Sequence, residues 1–238
     1  GTNTKFLKLG IIKNMKIVIF APHPDDELLG AGGSILKWMD EGNLVEIIYI
    51  SDGRAAYTFE RRMGRLIESE KTQISEDDLA GIRMKEIDKV IKFLEIPQES
   101  IHKFKIPDQE VMDFQETGIE MCKPIINDAN RIVAPSNNNA HKDHQATFNI
   151  ASTAAKELNL KDIKFYIYAL YVSIDAPKEK QVKIDIKNYN DKVYQALQLY
   201  DSQKVISTVK ASFERMKKKK RERFGVFKLE DLGKYKNF

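Results

Sequence analysis

The stretch MKIVIFAPHPDDELLGAGG, residues 15 to 33, constrains the fold more than any other part of the chain. KIVIF is apolar, rich in β-branched residues and uninterrupted beyond its first position, the pattern of a strand buried on both faces. It runs into His23, Asp25, Asp26 and Glu27, one imidazole and three carboxylates within five positions. ELLGAGGSILKWMDEGN then repeats apolar residues at helical spacing (Leu28, Leu29, Ile35, Leu36, Met39) and stops at Gly42. LVEIIYISDG follows as a second strand. Strand, helix and strand in this order make a βαβ unit, whose two parallel strands end at one rim.

The alternation continues. EDDLAGIRMKEIDKVIKFLEI carries Leu79, Ile82, Ile87, Val90, Ile91 and Leu94 on one stripe and predicts a helix. Before it, Arg54 to Ser75 reads as a polar loop or short helix over the rim. IHKFKIPD reads as a short strand or extended link, and FQETGIEMCKPIINDAN as a helix started or interrupted by Pro124. RIVAP reads as a buried strand, DHQATFNIASTAAKEL as an Ala-rich helix, KFYIYALYV as a strand, VKIDI as an edge strand and YNDKVYQALQLYDSQ as a helix. The pattern predicts one α/β domain: a Rossmann-like sheet, mostly parallel, with helices on both faces. Its expected bounds are 15–238. Residues 1–14 read as an N-terminal extension or leader without the apolar core and cleavage site of a secretory signal.

At 238 residues and 42% hydrophobic, the chain can bury one sizeable core. The net charge of +4 is gathered largely in RMKKKKRERFG, residues 215 to 225, which reads as a solvated face or tail and implies no nucleic acid. A single cysteine, Cys122, excludes an intrachain disulfide and a Cys-based zinc finger, and fits a cytoplasmic location. No apolar stretch is long enough to cross a bilayer, so no integral membrane segment is expected.

In an open α/β sheet, ligands bind beyond the carboxyl ends of the strands. HPDDE follows one such end and SDG another. A third, RIVAP, runs into SNNNAHKDHQAT with His141, Asp143 and His144. Three of the four histidines lie in the first and third of these segments, and His102 is the outlier. Two histidines and a carboxylate suit zinc or another borderline divalent ion, and three protein ligands leave a position open for water. Each segment alone could be a helix start, its acids serving the dipole or capping. Two of them facing one crevice favour a metal site. Gly30, Gly32 and Gly33 lack dinucleotide-binding spacing and read as letting the first helix pack closely on the sheet. Ser51 lacks the elbow of a nucleophilic serine.

APHPDDELLGAGG and HKDH together resemble the paired motifs of the PIG-L/LmbE-like N-acetylglucosaminyl de-N-acetylase family. YISDG, GIRMKEIDKVIKFLEI, IPD and ALQLYDSQ are supporting matches. The resemblance implies a zinc-dependent hydrolase that removes acetyl from the amide nitrogen of a small N-acetylglucosamine-type sugar. It implies His23, Asp26 and His144 as ligands of Zn2+ or another divalent transition metal, and Asp25 as general base. Protonated His141, held by Asp143, would stabilise the oxyanion, and Arg83 would contact substrate. Homo-oligomers are common in the family. Two positions depart from its pattern. Tyr200 stands where histidine is frequent, and Asn137 to Asn139 stand before His141 where an Asp or a bulkier group is common. Metal-dependent hydrolysis of a non-sugar amide or ester is the alternative reading.

Overall fold

The computed structural model describes residues 14–238, so the expected leader lies, apart from Asn14, outside the described residues. The first apolar run forms β1 (Lys16–Ala21), buried from Ile17 onward. Then come α1 (Asp26–Asp40), β2 (Leu44–Ser51), α2 (Ala56–Arg62), α3 (Glu76–Leu94), β3 (Ile101–Ile106), α4 (Gln115–Ile126) and β4 (Arg131–Pro135). The chain continues as α5 (Lys142–Glu157), β5 (Lys164–Tyr168), β6 (Gln181–Asp185), α6 (Asn190–Leu197), α7 (Ser207–Met216) and β7 (Arg221–Lys228). All seven strands form one sheet in the order β3-β2-β1-β4-β5-β7-β6. The first five in that order run parallel, and β7 is antiparallel to both β5 and β6.

Successive β1 side chains point to opposite faces and enter separate cores. Ile17 and Ile19 pack with Ile35, Val90, Leu197 and Phe213 under α1, α3, α6 and α7. Val18 and Phe20 pack with Ile126, Ile150 and Ala154 under α4 and α5. Helices therefore cover both faces, as the alternation required. Close approach of α1 rests on its glycines: a Cβ on Gly30 would overlap the Tyr168 ring, and one on Gly33 would overlap Ile186.

Two local expectations are corrected. The basic run is only in part a solvated segment. Arg221–Lys228 is an inner strand, with Glu222, Phe224 and Phe227 buried while Arg221, Arg223 and Lys228 are exposed. Exposed Arg221 and Arg223 alternate with buried Glu222 and Phe224, and this period of two is hidden by the buried charge and by the lysines before the strand. Pro124 neither starts nor breaks α4; it sits in the last turn, where only the bond to the Glu120 carbonyl is lost.

The functional consequence lies in the strand order. β1 pairs with β2 on one side and β4 on the other, so connections leave it in opposite directions across the sheet. A crevice opens beyond the carboxyl ends of strands at such a switch point. HPDDE leaves β1 there, and the segment leading to HKDH leaves β4.

Candidate active site

Asp25 is the residue on which the crevice turns. Its φ is +106°, a left-handed conformation that costs a non-glycine residue about 1–3 kcal/mol. It directly precedes α1, yet its side chain makes no capping hydrogen bond. Neighbours hold it from both sides. Its N–H donates to Glu27 Oε2 at 3.0 Å, and Glu27 Oε1 accepts from the Tyr200 hydroxyl at 2.5 Å. Arg83 donates through Nη2 to the Pro24 carbonyl at 2.5 Å and through Nη1 to the Gly53 carbonyl at 3.1 Å. Burial pushes the Asp25 carboxyl well above its usual range; Arg83 opposes the rise, and Asp26 and Glu27 add to it. Burial likewise raises Glu27 to about 7, against the Tyr200 hydrogen bond.

Beside Asp25, His23 Nδ1 lies 3.1 Å from Asp26 Oδ2, and His144 Nε2 lies 3.4 Å from the same oxygen. The ligand atoms of His23, Asp26 and His144 all fall within 4.8 Å of one another. Tetrahedral zinc with bonds of about 2.0–2.1 Å separates its ligand atoms by about 3.3 Å, so this triplet fits such an ion. His144 and Asp26 are already in the forms that suit an ion; burial would lower His23, but Asp108, Asp143 and Asp26 outweigh it and raise its pKa well above the ordinary value, so an ion binding there displaces its proton. Burial pushes His144 down to about 4 against the pull of Asp26, leaving the neutral ring a metal requires. Burial would raise Asp26, but His144 and His23 outweigh it and hold the carboxyl down to about 2.

The far nitrogen of His23 reaches a residue to which the sequence reading gave no role. Nε2 is 3.1 Å from Asp143 Oδ2, with which it hydrogen bonds, and 3.1 Å from Asp108 Oδ1. Asp108 follows β3 in IPD, a stretch noted only as a supporting match. The missed signal was that a fourth parallel strand, β3, also ends at this rim. Asp52 of SDG braces Asp108, accepting its N–H at 3.3 Å.

Asp143 differs from expectation. Its carboxylate turns to His23 and to the Gln109 N–H, and it reaches His141 only through its backbone N–H, which donates to Nδ1 at 3.2 Å. His141 caps α5 with its ring. Burial and the neighbouring charge of His23 push the His141 pKa down from its ordinary value. Its Nε2 lies 3.0 Å from the side-chain amide nitrogen of Gln109. Arg83 also differs. It is 2% exposed and lies behind Asp25, 3.7 Å from Oδ2, with both terminal nitrogens on backbone carbonyls. Its reach to a ligand passes through Asp25.

The remaining candidates fall in place. The three rim histidines stand with ring centroids 4.8 to 5.5 Å apart, while His102 is paired with Glu46 between β3 and β2. Asn139 accepts the His141 N–H and donates to the Leu170 carbonyl, which accounts for one of the asparagines.

Comparison with known proteins bears on the same residues. A family model described as GlcNAc-PI de-N-acetylase, PIG-L, matches residues 18–155, which include every strand end that forms the crevice. The chain belongs to this family. Solved structures agree in fold with this PIG-L chain. The N,N'-diacetylchitobiose deacetylase of Pyrococcus horikoshii has a TM-score of 0.70 at 20% identity, covering 92% of this chain and 86% of that one. A deacetylase of teicoplanin biosynthesis has a TM-score of 0.68 at 17% identity, covering 90% and 98%. The conserved protein TT1542 of Thermus thermophilus has a TM-score of 0.64 at 21% identity, covering 88% and 93%. No curated protein sequence matches significantly. Family membership makes deacetylation of an N-acetylated sugar the activity at its coarsest. No helix among the described residues is long and apolar enough to cross a membrane.

Proposed function

We propose that the chain is a zinc-dependent N-deacetylase that hydrolyses the acetamide of a small N-acetylglucosamine-type sugar, releasing acetate and the free amine. The observation that carries this reading is the convergence of His23, Asp26 and His144 within 4.8 Å beside the strained, buried Asp25. Two of the fold's neighbours are named as deacetylases, one of them of an N-acetylated disaccharide, which supports the substrate class.

His23, Asp26 and His144 would hold the ion, which when bound supplies a Lewis acid at the acetyl oxygen and an acidified water. Asp25 accepts a proton as water adds to the acetyl carbon. Its elevated proton affinity brings it toward the pH at which it must also give the proton back. His141 donates from Nε2–H to the oxygen that takes up negative charge; one such donor is worth roughly 3 kcal/mol. As the C–N bond breaks, Asp25 hands its proton to the departing amine. Asp143 and Asp108 face Nε2 of His23, fixing the tautomer that presents the Nδ1 lone pair. Glu27 and Arg83 keep the Asp25 backbone turned, so their contribution is positional. The acting unit is 15–238, working in the cytoplasm with no nucleic-acid partner.

A panel of acetylated amines tests the proposal. Turnover of N-acetylglucosamine derivatives, abolished by chelation and restored by zinc, is expected. Turnover confined to non-sugar amides or esters would transfer the site to the alternative substrate class, and turnover indifferent to chelation would remove the metal from the reaction.

A further inference from the structure

His141 reaches the crevice from the end of a loop, residues 136–141, that joins β4 to α5. A donor carried on a loop is only as well placed as the loop is held, and a misplacement of about 1 Å can cost about 10²-fold in rate. Asn139 ties the near end of this loop, through the His141 N–H and the Leu170 carbonyl. The far end is held by a distant part of the sequence. After β7, a 3-10 helix, Leu229–Lys234, leads to residues 235–238, and these lie against the loop. The family match ends at residue 155, so this segment is not among the residues that define it.

Asn137 meets the segment with both ends of its amide. Its Oδ1 accepts the Phe238 N–H at 3.0 Å, and its Nδ2 donates to the Lys236 carbonyl at 3.1 Å. Those two backbone groups flank Asn237, and one amide closes on both. An ionised aspartate could accept there but has nothing to donate. The Ser136 hydroxyl donates to a main-chain oxygen of Phe238 and accepts the Asn138 N–H at 3.0 Å. The Phe238 ring anchors the contact in the core. It is 1% exposed, with its centroid 5.2 Å from that of Phe148 on α5 and 4.8 Å from that of Phe227 on β7. Phe148 lies one turn beyond His144 on the helix that His141 caps. The asparagines at 137 and 138 are thereby accounted for, one by its side chain and one by its backbone.

We propose that Asn137 and Phe238 are positioning residues for the deacetylation. They latch residues 136–141 to the segment after β7 and thereby hold His141 at the oxygen that takes up negative charge. Both act through His141 and not on the substrate. The inference rests on the deacetylase reading, and one arm of its test needs no turnover.

With zinc-loaded enzyme and methyl N-acetylglucosaminide, Asn137→Ala should lower kcat about tenfold, the scale of one lost hydrogen bond, with KM and bound zinc unchanged. Phe238→Ala should lower kcat at least as far, and Phe238→Leu, which refills the core, should recover most of the loss. Lys236→Gln leaves the main-chain carbonyl in place and should behave as native. The decisive measurement is the double variant. In a His141→Ala background, Asn137→Ala should cost nothing further, because the group it places is gone. Losses that multiply in the double variant, or zinc lost together with kcat, would mean a general loosening and would overturn the proposal. An unchanged kcat in Asn137→Ala would do the same. Should Phe238→Ala fail to fold, the Asn137 variants decide alone. The arm without turnover is the NMR signal of the His141 ring in the zinc-loaded protein. It should move in Asn137→Ala while that of His102, paired with Glu46 away from the loop, stays. A signal that moves upholds the latch even if no sugar is deacetylated by the native enzyme. One that stays defeats it even if sugars are.

Discussion

A single buried acid and a cluster of buried acids touch the same helix, and they are built on opposite terms. Midway along α1, Glu222 is fully buried and fully engaged. Its Oε1 accepts the Gly33 N–H at 3.0 Å, and its Oε2 accepts the Ser34 N–H at 2.8 Å and the Ser34 hydroxyl at 2.5 Å. At the start of α1, Asp25, Asp26, Glu27, Asp108 and Asp143 are each at most 5% exposed and crowd around three imidazoles. There, Oδ1 of Asp143 has no hydrogen-bond partner, and Oδ1 of Asp108 has only the His23 ring, at 3.1 Å. A satisfied buried carboxylate needs nothing more from outside, whereas one with an open lone pair beside ionisable rings marks a place where chemistry or a ligand is to be expected. Burial alone does not distinguish structure from site. Completion of the hydrogen bonds does.

Mutation can break that distinction, and the largest effect is expected at the rim. Asp25→Asn should lower kcat by about 10²-fold or more, because an amide takes up no proton at neutral pH, while bound zinc stays stoichiometric. Normal kcat at full metal occupancy would make the rim acids as structural as Glu222. Next come the histidines and Asp26. Metal analysis should find zinc depleted in His23→Ala, Asp26→Ala and His144→Ala, and retained in His141→Ala, whose kcat falls roughly 10²-fold. Depletion in all four would show that the two kinds of histidine are one.

The converse effect is expected at Glu222. Glu222→Ala strands the donors of Gly33 and Ser34 and should destabilise the fold by about 1–3 kcal/mol for each, measured by urea unfolding, with kcat of the folded enzyme intact. A loss of kcat without loss of stability would join Glu222 to the cluster. Tyr200→Phe tests the residue between them. Removing the hydroxyl from Glu27 should reduce kcat about tenfold, the equivalent of about 1.4 kcal/mol of lost positioning, with zinc unchanged. An effect on stability alone would place Glu27 with Glu222.

The smallest effect is in pH. Burial raises the Glu222 pKa, against the opposing charge of Lys219 and the bonds from Ser34 and Gly33. A raised carboxyl pKa means the folded state favours the protonated form. Its contribution is complete below the unfolded value of about 4.3 and is lost as pH rises through the folded value. The stability of the native chain relative to Glu222→Gln should therefore decline across that window. A difference that stays flat would mean the hydrogen bonds cancel the cost of burying the charge.

The fold class was legible because its signals are local. A buried strand, an amphipathic helix and another strand each announce themselves within a dozen residues, and the rules of parallel connection then bring the strand ends to one rim. The charged strand β7 escaped because a run of lysines masks an alternation of two, and only pairing on both edges makes such a segment a strand. Much of the site was legible for the same reason as the fold, since HPDDE and HKDH each place several ligand types within one turn.

The sequence by itself determined the parallel α/β frame, the two strand ends that meet and the residue types that converge there. Only the tertiary structure decided what each side chain faces. It turned Asp143 to His23, supplied Asp108 from the end of β3, put Arg83 behind Asp25 and aimed the Tyr200 hydroxyl at Glu27. The physical reason is that a motif sets spacing along one chain, whereas a buried polar atom takes its partner from whichever element packs against it, and the partners of Glu27 and His23 lie 173 and 120 residues away.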